Sequence, residues 1–228
     1  MKTILITGAS GHLGSSVTRL FLDKGYRVVA VVARKENLGF LKHERLDIRQ
    51  ADLTDEAAAN ELVQYAIHTY GPLEAGLLLA GGFATGSLRN TTGKHISTQM
   101  SLNFNTAYFV ARPMFQHLLQ QGKGNIVFVG ARPALQPGQG KDMVAYGLSK
   151  SLLFRTAELM NEEARGTAVT ATVIVPSIID TPVNRKAMPD AHFNDWVKPG
   201  QLAGILHFIV SEPASAIRES VVKVYNNA

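Results

Sequence analysis

Residues 3–16 read TILITGASGHLGSS, and the order of those letters decides the fold. Thr3 to Thr7 are apolar or β-branched without a break, which suits a strand covered on both faces. Gly8, Gly11 and Gly14 follow at intervals of three. Leu13, Val17, Leu20 and Phe21 then recur at helical spacing over 12–24. Glycine permits a tight turn at positive φ and lets backbone approach a ligand closely. The start of a helix offers unpaired N–H groups and the positive end of a dipole to an anion such as a pyrophosphate. A glycine triplet alone says little; set between a strand and a helix, it is the phosphate-binding turn of a dinucleotide fold. The stretch assigns Gly8, Ser10, Gly11, His12, Leu13 and Gly14 to cofactor binding.

Outward from that turn, strand and helix patterns alternate. Strand candidates are 26–33, 45–53, 74–82, 124–131, 168–176 and 220–226, seven with the first. Helix patterns cover 54–71, 95–121, 145–165 and 199–211, with Thr54 as the cap of the first of these and Gly71-Pro72 as its end. Strands alternating with helices predict a doubly wound α/β sheet, seven-stranded and mostly parallel, in one domain spanning 1–228. Residues 178–200, IIDTPVNRKAMPDAHFNDWVKPG, break the rhythm with three prolines and the single Trp, Trp196. An irregular segment carrying Met188, Phe193 and Trp196 is expected to be a lid over a substrate pocket.

The bulk composition excludes several classes. With 228 residues, 46% hydrophobic, the chain has material for a sizeable core. It has no Cys, so neither disulfides nor thiolate metal sites are open to it, and the seven His show no metal spacing. No apolar run reaches the length of a membrane span, and a cytoplasmic protein is expected. The net charge of +5 is spread over scattered Lys and Arg, which argues for a solvated surface rather than a nucleic-acid stripe.

The choice of dinucleotide is written after the second strand, in VVAVVARKENL (28–38). An acid there would hold a ribose 2′-hydroxyl. Val32 and Ala33 stand in its place, and Arg34 with Lys35 follow. A guanidinium suits a 2′-phosphate, so NADP(H) is expected, with NAD(H) open through Glu36 and with Arg34 as a plain solvated side chain the competing reading. Asp52 and Leu53, after the third strand, can meet an adenine; Ala80, Gly81 and Gly82 can let a ribose lie against the fourth.

Tyr146 and Lys150, in AYGLSKSLL (145–153), share one helix face. An ammonium beside a phenol should lower its pKa toward working pH and make the pair a proton donor for hydride transfer. In this order TGASGHLG, DLT, AGG, Asn103 in SLNFNTAYF, YGLSK and PSIIDTP resemble the landmarks of the short-chain dehydrogenase/reductase family over essentially the whole chain. That resemblance implies a homodimer or homotetramer and a catalytic role for Asn103, Tyr146 and Lys150, with Asn103 keeping a helix kink and a water in place for proton supply and Lys150 also on the cofactor ribose. It places Thr181 near the nicotinamide carboxamide, with Pro176 and Ile179 beside it. It also puts Ala131 where the family has its catalytic serine, and Leu78-Leu79-Ala80-Gly81 where many members have Asn-Asn-Ala-Gly.

Loss of an oxyanion donor typically slows carbonyl chemistry by about 10²–10³. The dihydropteridine reductase branch of the family also lacks the serine. GARPALQPGQGKDMVAYGLSK (130–150), PSIIDTPVNRKAMPDAHFNDW (176–196) and AGGF (80–83) are similar to its corresponding segments. A quinonoid dihydropterin accepts hydride readily and needs a proton at nitrogen, which Tyr146 with Lys150 could deliver. Phe83, Ala131, Tyr146, Met188 and Trp196 are the expected substrate contacts, Phe83 being equally readable as a core aromatic. A reductase of carbonyls or of another flat heterocycle is the enzymatic alternative. A non-catalytic NADP(H) sensor is the alternative of another class.

Overall fold

The computed structural model of the chain describes residues 1–34 and 42–227. Lys35 and Glu36, the neighbours weighed with Arg34, lie outside the described residues.

The chain runs through β1 (Thr3–Thr7), α1 (His12–Asp23), β2 (Arg27–Val32), β3 (Leu46–Gln50), α2 (Glu56–Tyr70) and β4 (Leu73–Leu78). It continues with α3 (Gly93–Gln99), a π-helical turn (Met100–Asn105), α4 (Thr106–Gln121), β5 (Lys123–Val129), a short α5 (Pro137–Gly140) and α6 (Val144–Glu163). Then come β6 (Ala168–Pro176), α7 (Pro182–Ala187), α8 (Pro199–Ile209) and β7 (Val221–Val224). The strands form one seven-stranded sheet in the order β3-β2-β1-β4-β5-β6-β7. Every pairing is parallel, so "mostly parallel" becomes wholly parallel.

Side chains alternate across a strand, so a strand buried on both faces feeds two cores. Ile4 and Ile6 of β1 join Val28, Ala30 and Val32 of β2 on the face covered by α1 and α8. Leu5 joins Val29 and Val31 on the opposite face, with Met114 and Leu118 of α4 and Leu153 and Ala157 of α6. Strand order reverses between β1 and β4, which opens a crevice at their carboxyl ends.

Three local expectations are corrected. Asp55, not Thr54, caps α2, its Oδ1 accepting from Ala58 N at 3.0 Å; a carboxylate one residue nearer the helix outcompetes the hydroxyl, which donates to Asp52 instead. Residues 95–121 are not one regular helix, because the π turn divides them. The 178–200 segment is partly regular, since Thr181 Oγ1 accepts from Asn184 N and starts α7 there. The segment leaves β6 and returns beside its own start before α8, with Asp180 N donating to Val197 O and Val197 N to Ile178 O.

Candidate active site

Gly8 follows β1 at φ +63°, and a Cβ on it would lie 2.8 Å from Ala80 N at the end of β4. A Cβ on Gly14 would lie 2.1 Å from Gly8 O. Only glycine closes this turn, and the turn aims α1 at the crevice. Gly11 caps α1 with no side chain, so the first N–H groups of the helix are met by no capping oxygen. Gly8, Ser10 and Gly11 line an open groove of about 590 Å³ together with Val31, Ala33, Asp52, Leu53, Ala80 and Gly81. Asp52 Oδ1 accepts from Thr54 N at 2.9 Å and Thr54 Oγ1 at 2.6 Å, and those bonds hold its carboxyl below the usual range. Arg34 is exposed just beyond the end of β2. An extended dinucleotide fits this surface: in sheet order Asp52 follows β3, the glycine turn with its bare helix N–H groups follows β1 in the middle, and Gly81 follows β4 at the other end.

Past Gly81 the site changes character. A Cβ on Gly81 would meet Asn103 Oδ1 at 2.7 Å and Lys150 Nζ at 3.3 Å, so strand end, π turn and α6 converge there. Asn103 is wholly buried. Its Oδ1 accepts from Gly82 N at 3.0 Å, and its Nδ2 donates to Gln99 Oε1 at 3.0 Å and Ser149 Oγ at 3.2 Å. Lys150 is buried and donates to Val129 O at 2.8 Å. Burial pushes the Lys150 ammonium down to about 8 and the Tyr146 phenol up to about 12. The expectation that the ammonium lowers the phenol is therefore reversed for the protein alone, because desolvation penalises both charged forms. At neutral pH the phenol carries its proton, as a donor must.

Ala131 ends β5's extension, is buried, and caps the 3₁₀ turn Arg132–Ala134. Phe83 is 63% exposed and meets the Tyr146 ring edge-on, with centroids 5.2 Å apart. That exposure rules out the core-aromatic reading. Met188 follows α7 and is partly exposed. Trp196 is 3% exposed and packs on Phe193, and Asn226 Nδ2 donates to its carbonyl; it anchors the return of the 178–200 segment. Asp180 holds Arg185 of α7 through two bonds of 2.6 and 2.8 Å, both residues lying inside the 178–200 segment. Pro176 ends β6, and Ile179 O accepts from Asn184 Nδ2.

Residues 2–192 match the family model described as short chain dehydrogenase. The chain belongs to that family. It is an oxidoreductase of the short-chain type, built around a nicotinamide-cofactor fold. A 3-oxoacyl-acyl-carrier-protein reductase of Thermotoga maritima is 24% identical over 98% of this chain and 96% of its own. A dihydropteridine reductase of Dictyostelium discoideum is 27% identical over 89% and 84%. Among solved structures, the closed form of serine dehydrogenase complexed with NADP+ superposes with a TM-score of 0.85 at 20% identity, over 97% of this chain and 94% of that one.

For a short-chain dehydrogenase the sequence reading missed four contributors. Thr7 Oγ1 accepts from Ala80 N at 3.1 Å and ties β1 to β4 beneath the crevice. Leu102 and Thr106 line the groove from the π turn and α4. Ser149 sits inside YGLSK itself, where its place next to Lys150 was the only signal. Among the described residues no three His, Asp or Glu gather to hold a metal, and no helix is long and apolar enough to cross a membrane.

Proposed function

We propose that the protein reduces a quinonoid dihydropterin with NADPH. The observation that carries this reading is Ala131 beside an otherwise intact Asn103, Tyr146 and Lys150. A methyl side chain offers no hydrogen bond to a developing oxyanion, whereas an electron-poor conjugated imine develops no such charge on oxygen. When bound, the reduced nicotinamide supplies a hydride. Tyr146 Oη holds a proton at neutral pH and delivers it to a ring nitrogen; burial keeps the phenol protonated until then. Lys150 Nζ, already held by Val129 O, fixes the cofactor ribose and stabilises the phenolate left after the transfer. Phe83 offers an open aromatic face next to Tyr146 to a flat heterocycle. Met188 and the 183–196 segment would cover it from the other side, with Trp196 as the segment's anchor. The named dihydropteridine reductase relative supports this choice.

Arg34, with no acid in the ribose position, supports NADP(H) over NAD(H), and the serine dehydrogenase structure holds NADP+. Exposed apolar side chains on α4 (Tyr108) and α6 (Leu148, Leu159) support a homodimer through these helices. Light scattering on the purified protein tests the dimer.

The 3-oxoacyl reductase relative favours carbonyl reduction as a second reading. One assay separates the two: oxidation of NADPH and NADH with chemically generated quinonoid dihydropterin, and with a panel of ketones and aldehydes. NADPH-dependent turnover of the pterin with inert carbonyls supports the reading. Turnover of carbonyls alone overturns it.

A further inference from the structure

Three polar side chains with almost no access to water meet beneath the reacting pair. Gln99 closes α3, Asn103 sits in the π turn, and Ser149 lies on α6 one residue before Lys150; they are 4%, 0% and 0% exposed. Their hydrogen bonds can run in only one direction. Gly82 N–H must donate, so the Asn103 oxygen faces Gly82 and its amide nitrogen faces the other two. Ser149 has one proton, which goes to Tyr146 O at 2.8 Å, so toward Asn103 its oxygen only accepts. Gln99 likewise presents Oε1. Both amide hydrogens and the carbonyl oxygen of Asn103 are thereby used, and the amide has one orientation.

The consequence is mechanical. Gly82 extends from β4, the strand whose end floors the cofactor crevice; Tyr146 and Lys150 ride on α6; the π turn belongs to α3–α4. Asn103 joins all three, and Ser149 and Gln99 are what hold Asn103. A widened helical turn at that point is tolerated because its side chain is tied from three directions. We infer that Ser149 and Gln99 are positioning residues of the reaction: through Asn103 they set the register of the Tyr146–Lys150 helix against the strand end that holds the cofactor.

The test is a double-mutant cycle of Ser149→Ala and Asn103→Ala, read on whichever pterin or carbonyl the wild type turns over. The substrate assignment can thus fail without touching it. Ser149→Ala should lower kcat about ten-fold, equivalent to ~1.4 kcal/mol, with KM and the NADPH Kd within about two-fold. On the Asn103→Ala background the same change should alter kcat less than about two-fold, because the residue it acts through is gone. Gln99→Met should reproduce the single-variant loss and serves where Ser149→Ala does not fold. A Ser149→Ala kcat within two-fold of wild type overturns the inference. So does a loss that persists in full on the Asn103→Ala background, or one carried by NADPH affinity. Failure of both Ser149→Ala and Gln99→Met to fold overturns it too, because the network would then be a folding element.

Discussion

At Gly8–Gly14 the binding surface is backbone, and at Tyr146–Lys150 it is side chain. The first is an open groove whose chemistry comes from bare N–H groups and missing Cβ atoms. The second is a buried knot in which Asn103, Ser149 and Lys150 are held by named partners, and in which burial favours the neutral forms of Lys150 and Tyr146. Backbone sites depend on which residue can be small enough. Side-chain sites depend on what several distant elements bring together. On the proposed reading, phosphate recognition can therefore be kept by a few glycines, whereas the reactive pair depends on contacts from the ends of β4 and β5 and from the π turn.

The comparison breaks most sharply at Tyr146. Tyr146→Phe should lower kcat by about 10²–10⁴ while the NADPH Kd, read by fluorescence titration, stays within about two-fold. A large loss of affinity would mean that the two ends are not separable. Gly14→Ala attacks the other end: with Gly8 O at 2.1 Å the turn must open. Stability should fall by about 3 kcal/mol in urea unfolding, and NADPH binding should weaken at least ten-fold.

Lys150 gives a pH signature. Its folded-state pKa is depressed to about 8, below the unfolded value, so the unfolded chain binds more protons between that pH and about 10.4. Stability of the cofactor-free protein should rise with pH across that window. Tyr146, raised to about 12, acts in the opposite sense, and stability should fall as pH climbs from about 10 toward 12. Lys150→Met should then raise unfolding free energy at pH 7 by about 2 kcal/mol while abolishing turnover. A variant less stable than wild type at pH 7 would show that the ammonium is compensated. Ala131→Ser is a smaller lever: restoring the hydroxyl should raise ketone turnover about ten-fold and leave pterin turnover within about three-fold. Smallest is Asn226→Ala, which removes the bonds to Asn194 O and Trp196 O at the return of the 178–200 segment. If that segment is the proposed lid, substrate KM should rise about two- to three-fold with kcat unchanged, and a fall in kcat would extend its role into the chemistry.

Local rules made β1, the glycine turn and the amphipathic α1 readable, because each is set by residues adjacent in the chain. The Tyr146–Lys150 pair was readable for the same reason, being four residues apart on one helix. The kink at Asn103 was expected from the family resemblance and is there as the π turn, but local pattern did not show it: the pattern is that of a continuous helix, and the widening answers Gly82 and Ser149, 21 and 46 residues away. Trp196 misled in the other direction: a lone Trp in an irregular segment suggested a substrate wall, yet its ring is buried on Phe193.

What the sequence determined by itself is the order of elements, the glycine turn between strand and helix, and the presence of a phenol–amine pair, each of which follows from residue type and short spacing; that Ala131 stands where a serine is usual follows from the family resemblance. Only the tertiary structure decided the direction in which that pair is shifted, since burial penalises both charged forms. It alone decided the orientation of the Asn103 amide, since its donors and acceptors arrive from β4, α3 and α6. Desolvation and hydrogen-bond direction are properties of a packed interior, and no single stretch of chain carries them.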